Sequence, residues 1–278
     1  FSILISAVYN SKNIFRSLVG YNNKNLEFSI MIFLKQLNYI LIPRLPFKTP
    51  KWIPNWINKI LFRDDSSYLI NYPEVVDNIC FIYINGILSS KKEVLNDLNK
   101  LKEIFNRPIN SIYNPTDSLT VDLIECLLDK ETNYITQPAL VGLLTISKKI
   151  LDPHIDKVII IAYSQGTIIL SKIINLLPQL GIDKELYLKK LEIYTIANCS
   201  SKMEYISQNL PYMEHLVNEH DFIGRLGINC SDHLRSYIKI EGQKILVRNK
   251  YGHLLTENYL DNFLLDFGNS NLIQYIKK

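Results

Sequence analysis

Ten residues, Lys157 to Gly166, constrain the fold more than any other stretch: they read Lys-Val-Ile-Ile-Ile-Ala-Tyr-Ser-Gln-Gly. Val158 to Ala162 is a short continuous apolar run rich in β-branched residues, the pattern of a strand buried on both faces. Thr167 to Leu177 mixes Ile and Leu with Ser, Lys and Asn, and suits a helix packed on such a sheet. Only Tyr163, Ser164, Gln165 and Gly166 lie between them. A strand that becomes a helix so abruptly forces its central residue, Ser164, into a strained backbone conformation. It also demands small residues two before and two after, and those are Ala162 and Gly166. The turn is expected to lift the Ser164 hydroxyl above the sheet edge and set it at a helix N-terminus, where partial positive charge collects.

Strands and helices alternate through most of the chain. Ile79 to Ile84 reads as a second buried strand, running into Asn85-Gly86-Ile87. Lys91 to Phe105 places Val94, Leu95, Leu98, Leu101, Ile104 and Phe105 at helical spacing. Ile109 to Tyr113 is a short strand ended by Asn114-Pro115. Ser118 to Leu128 and Pro138 to Leu151 read as helices, followed by the Lys157 strand and its helix. After a break at Pro178 to Gly181 come a helix at Glu185 to Lys190 and strands at Leu191 to Ala197 and Glu214 to Asn218. Ile238 to Ile240 and Lys244 to Val247 are expected to form a last strand pair around Glu241-Gly242. A final helix is expected to run to about Phe267. This order predicts an α/β fold with a mostly parallel central sheet and helices on both faces.

The chain has 278 residues, enough for one large domain or a domain with an extension. Hydrophobic residues make up 47% and charged residues 21%, so a sizeable core is available and bulk disorder is not expected. The net charge of +4 is dispersed, without the basic run of a nucleic-acid surface, so no nucleic-acid partner is expected. Cys80, Cys126, Cys199 and Cys230 lie far apart with no Cys-x-x-Cys pair. Neither a zinc site nor a disulfide framework follows from them, and no metal or other cofactor is expected. Asn198 and Asn229 open Asn-x-Ser strings that would matter only in a secretory pathway.

Residues 1 to 75 do not read as part of the sheet and are expected to form an arm or cap on a catalytic domain at 76–278. Leu26 to Leu41 suits an amphipathic helix, with Phe28, Met31, Leu34, Leu37, Asn38 and Leu41 near one stripe. Pro43, Pro46, Pro50 and Pro54 then impose an extended segment that includes Trp52 and Trp56. The arm has two readings: a packed cover on the core, or a peripheral contact with membrane lipid. The apolar stretch from Phe28 ends at Lys35, too short for a membrane span. The chain starts at Phe1, so any leader is invisible, and the cytoplasm is the favoured compartment.

A serine hydroxyl is a poor nucleophile at neutral pH. It needs a base within hydrogen-bond reach, and the base needs an acid to fix its tautomer and stabilise its cation. Asp221 follows the Glu214 to Asn218 strand, and a residue at that end shares a rim with Ser164. Glu219 and Asp232 are its rivals. For the base, His253 follows the last strand, with His154, His215, His220 and His233 as rivals.

The Ala-Tyr-Ser-Gln-Gly-Thr string, spanning Ala162 to Thr167, resembles the Gly-x-Ser-x-Gly nucleophile elbow of the α/β-hydrolase superfamily, and especially its lipase and serine-esterase branches. It departs from that pattern at Ala162, which replaces the first glycine. The chain order Ser164, Asp221, His253 is also the order used in that superfamily. The resemblance covers roughly Ile79 to Phe267. It implies an α/β-hydrolase fold and acyl transfer to water through an acyl-enzyme. Ser164 would be the nucleophile, His253 the general base and Asp221 its orienting acid. The backbone N–H of Gln165 would bind the oxyanion together with that of Gly86 or Ile87. A small-molecule or lipid ester is the implied substrate. A thioesterase, an amidase, an acyltransferase and a non-catalytic binding protein on the same fold are the alternatives.

Overall fold

In the computed structural model, the described residues are 68–70, 78–86, 89, 91–115, 135–203 and 211–276, the side chains of His233 and Leu234 excepted. The arm before residue 68, Ile87 and the helix expected at Ser118 to Leu128 lie outside them.

A seven-stranded mixed sheet forms the centre. In chain order its strands are β1 (Leu69–Ile70), β2 (Ile79–Ile84), β3 (Ile109–Ile112), β4 (Lys157–Tyr163), β5 (Leu191–Ile196), β7 (Tyr212–Asn218) and β9 (Gln243–Val247). In space they run β1-β3-β2-β4-β5-β7-β9. Every pairing is parallel except that of β1 with β3. Among the described residues, four helices connect or flank the early strands: α1 (Lys91–Phe105), α2 (Gln137–Leu151), α3 (Gly166–Leu176) and α4 (Lys184–Lys190).

The central strands β2 and β4 are near-continuous apolar runs because both faces of the sheet are covered. Alternate residues feed separate cores. Phe81, Tyr83, Ile159, Ile161 and Tyr163 pack with Val94, Leu98, Leu101 and Phe105 of α1. Cys80, Ile82, Ile84, Val158, Ile160 and Ala162 pack with Ala139, Leu143 and Ile146 of α2 and with Ile169, Leu170 and Ile173 of α3. Thr136 caps α2 by accepting a hydrogen bond from the Ala139 N–H at 3.4 Å, with Pro138 in the first turn.

Three expectations need correction. Leu69 and Ile70 do belong to the sheet, as an antiparallel edge opposite Ile112 and Ser111. Two residues are too few to display a period, so the edge was invisible before pairing was known. The expected pair around Glu241-Gly242 does not form. Lys239–Ile240 (β8) instead lies parallel to Lys202–Met203 (β6) in a small separate sheet, while β9 adds to β7. The buried His215 on β7 fixes that divergence by holding the Glu241 carbonyl, with Nε2 at 2.7 Å. The final helix is also not continuous. It breaks into a π-helical turn at Thr256–Leu260, a short helix α5 (Phe263–Asp266) and a 3-10 turn at Asn271–Tyr275.

The order of connection creates one crevice. From β2 the chain crosses to β3 on one side, and then returns to β4 on the other. The C-terminal ends of β2 and β4 therefore flank a topological switch point, the usual place for a ligand in an open α/β sheet.

Candidate active site

Ser164 stands directly after β4 with φ +53°, in the left-handed region that non-glycine residues rarely enter. Such a conformation costs about 1–3 kcal/mol and persists only when its surroundings enforce it. The Ser164 N–H donates to the Ile196 carbonyl of β5 at 3.0 Å. Its own carbonyl accepts the Thr167 N–H at 2.9 Å and the Thr167 hydroxyl at 2.7 Å. Thr167 in turn accepts the Cys199 N–H at 3.2 Å, so the threonine of the string ties the turn to the end of β5. A Cβ on Gly166 would lie 2.4 Å from the Ile84 carbonyl oxygen, which leaves glycine as the residue that fits.

The three residues expected to work together do meet. His253 Nε2 lies 2.9 Å from Ser164 Oγ, and His253 Nδ1 lies 2.9 Å from Asp221 Oδ2 and 3.1 Å from Oδ1. All three are buried, at 2%, 0% and 8% exposure for Ser164, Asp221 and His253. A neutral imidazole placed this way donates Nδ1–H to the carboxylate, which can only accept, and turns its unprotonated Nε2 to the hydroxyl. Asp221 Oδ1 also accepts the Ile223 N–H at 2.8 Å and the Gly224 N–H at 3.3 Å.

The positions of the rivals account for them. His215 Nδ1 faces the Thr195 hydroxyl at 2.7 Å, and burial holds its pKa below the ordinary value. It is a neutral structural histidine. His220 stacks on Tyr251 and faces Arg225 at 2.7 Å. His154 is exposed, and the side chain of His233 lies outside the described residues. Glu219 accepts the Asn249 N–H at 2.7 Å, a bond that holds its carboxyl below the usual range, and so clasps two loops. Asp232 pairs with Arg235 at the surface.

Gly86 and Gln165 flank the serine. A Cβ on Gly86 would approach Ser164 Cβ to 2.7 Å and Oγ to 3.3 Å, so the β2 loop passes against the hydroxyl. Gln165 is the N-cap of α3, where first-turn N–H groups lack helical acceptors. An amide latch joins these loops. Asn85 Oδ1 accepts the Asn114 N–H and Asn85 Nδ2 donates to the Asn114 carbonyl, both at 2.8 Å. Asn114 Nδ2 donates to Gln165 Oε1 at 2.6 Å.

Several supporting residues were missed in the sequence. Tyr163 stacks on His253, with ring centroids 5.0 Å apart, and its hydroxyl donates to the His253 carbonyl. Its place between Ala162 and Ser164 was the available signal. Asn258 accepts the Leu254 N–H at 2.8 Å, and its side chain fills the space that a Cβ on Gly252 (φ +99°) would need. Tyr259 donates to Asp221 Oδ2 at 2.5 Å. Nothing in the spacing foretold either contact, because the π-helical turn shifts which side chains face inward.

No group of three or more His, Cys, Asp or Glu suited to a metal occurs among the described residues. None of their helices is long and apolar enough to cross a membrane. No protein-family model matches the chain, and no match is found among curated proteins.

Proposed function

We propose that this chain is a serine hydrolase of the α/β-hydrolase fold that cleaves carboxylic esters through an acyl-enzyme. The observation that carries the reading is the unbroken contact from Ser164 Oγ through His253 to Asp221, with 2.9 Å at each link. The strained elbow and the strand order around the switch point add support.

In this reading Ser164 Oγ attacks the ester carbonyl carbon as His253 Nε2 takes its proton. Asp221 holds the imidazole in the required tautomer and stabilises the cation that forms. The oxyanion meets the Gln165 N–H and an N–H of the Asn85-Gly86-Ile87 loop. Collapse breaks the carbonyl carbon–oxygen bond, and the proton on Nε2 passes to the departing alkoxide. Water then attacks the acyl-enzyme with His253 again as base, releasing the acid and restoring Ser164.

A panel of p-nitrophenyl esters and acyl thioesters, from acetyl to palmitoyl, tests the reading. Ester turnover that falls by about 10⁴-fold or more in Ser164→Ala supports it. Equal rates for wild type and Ser164→Ala contradict it. Preference for long chains marks a lipid ester as substrate, and activity confined to acetyl and butyryl esters removes that refinement.

A further inference from the structure

The buried carboxylate of Asp221 meets no Lys or Arg among the described residues. Among those residues hydrogen-bond donors alone surround it, and they are divided unevenly. Oδ1 has the Ile223 and Gly224 amides, both on its own loop. Oδ2, the oxygen nearer His253 Nδ1, has a single further donor among the described residues, the Tyr259 hydroxyl at 2.5 Å. That hydroxyl is itself placed, since its oxygen accepts the Asn218 N–H at 3.2 Å, at the end of β7. The ring is fully buried and lies parallel to Phe267, with centroids 6.0 Å apart. Burial and the neighbouring Asp221 charge push the phenol pKa well above its ordinary value, so the group stays a donor across the working pH range.

The backbone around Tyr259 is also unusual. Thr256–Leu260 forms a π-helical turn, a rare conformation that is frequent at functional sites. Its Asn258 side chain fastens the loop that carries His253. One turn therefore grips the base loop through Asn258 and the acid through Tyr259.

We propose that Tyr259 is a positioning residue for the relay, its hydroxyl fixing Asp221 Oδ2 so that the carboxylate stays aligned with His253 Nδ1. The catalytic part of this proposal rests on the hydrolase reading above. Without the phenol, Oδ2 keeps only the imidazole, and the carboxylate is free to rotate about its Cβ–Cγ bond while Oδ1 stays tethered.

The test is Tyr259→Phe in the full chain, which retains the ring and its stack. Two readouts are used. The first is kcat and KM on p-nitrophenyl butyrate. The second is the ¹⁵N and proton NMR shift of the His253 Nδ1–H, which needs no turnover. The expected result is a fall in kcat of about ten-fold, the size of losing a hydrogen bond to a charged group, with KM nearly unchanged. The Nδ1–H resonance should move. Tyr194→Phe is the control, since it removes a buried phenol from Glu192, outside the site. It should lower stability and leave kcat and the resonance unchanged. An unmoved resonance in Tyr259→Phe, or a moved one with kcat intact, overturns the proposal. A wild type with no ester turnover would count against the hydrolase reading, and the resonance alone would then decide whether Tyr259 aligns the pair.

Discussion

Single atoms decide what the elbow tolerates. A methyl at position 166 would press into the Ile84 and Asn85 carbonyl oxygens at 2.4 and 2.8 Å. Backbone oxygens at the end of a central strand cannot retreat cheaply, so Gly166→Ala should lower stability by about 2–4 kcal/mol, read as the midpoint of urea unfolding. Asp97 on α1 is the opposite case, a residue that costs stability. Its carboxyl accepts the Tyr83 hydroxyl at 3.1 Å, and burial raises its pKa from an ordinary 3.8 to about 7. The fold therefore binds this proton more tightly than the unfolded chain does. The penalty is absent below about pH 4, grows as pH rises and is complete above about pH 7. Each pH unit is worth about 1.4 kcal/mol, and partial solvent contact reduces the sum, leaving about 2–4 kcal/mol. Asp97→Asn should be more stable than wild type at pH 8 by that order. It should also flatten the decline in stability between pH 4 and 7. Equal pH profiles for the two proteins would contradict the assignment.

At the scale of elements, the site depends on how loops are fastened to strand ends. Asn258→Ala should leave the core intact but loosen Gly252-His253-Leu254, lowering ester turnover about ten-fold with a stability loss near 1 kcal/mol. Matched assays of turnover and urea unfolding separate the two effects. The same scale shows what could be read beforehand. The β2 and β4 strands and helix α1 were legible because buried parallel strands are continuous apolar runs and α1 has a clear helical period. Ser164, Asp221 and His253 were legible because each follows a strand on the same rim. Leu69–Ile70 and Lys202–Met203 were not, since two-residue strands carry no period of their own and exist only through a distant partner. The Tyr259 contact was hidden for a related reason: a π-helical turn departs from the 3.6-residue repeat used to assign helix faces.

Over the whole molecule, the two ends of the sheet do different work. The C-terminal ends of the strands gather Ser164, Asp221 and His253, whereas the opposite end carries two buried acids that anchor the segment from Ser270 to Tyr275. Glu192 accepts from Lys157 at 2.7 Å and from the Tyr275 hydroxyl at 2.7 Å, and Glu214 accepts the Asn271 N–H at 3.0 Å. Ending the chain after Ser270 would strip donors from both carboxylates and uncover the core positions filled by Leu272 and Tyr275. That truncation should cost at least about 3 kcal/mol, visible as a lower urea midpoint. An unchanged midpoint would show that this segment is ornamental to the fold.

The most direct trial of the proposed chemistry is intact-protein and peptide mass spectrometry after exposure to a fluorophosphonate. A single phosphonyl adduct on the peptide holding Ser164, lost in His253→Ala, is the outcome the geometry predicts. No adduct on the wild type, or one that survives His253→Ala undiminished, would contradict an activated serine at this elbow.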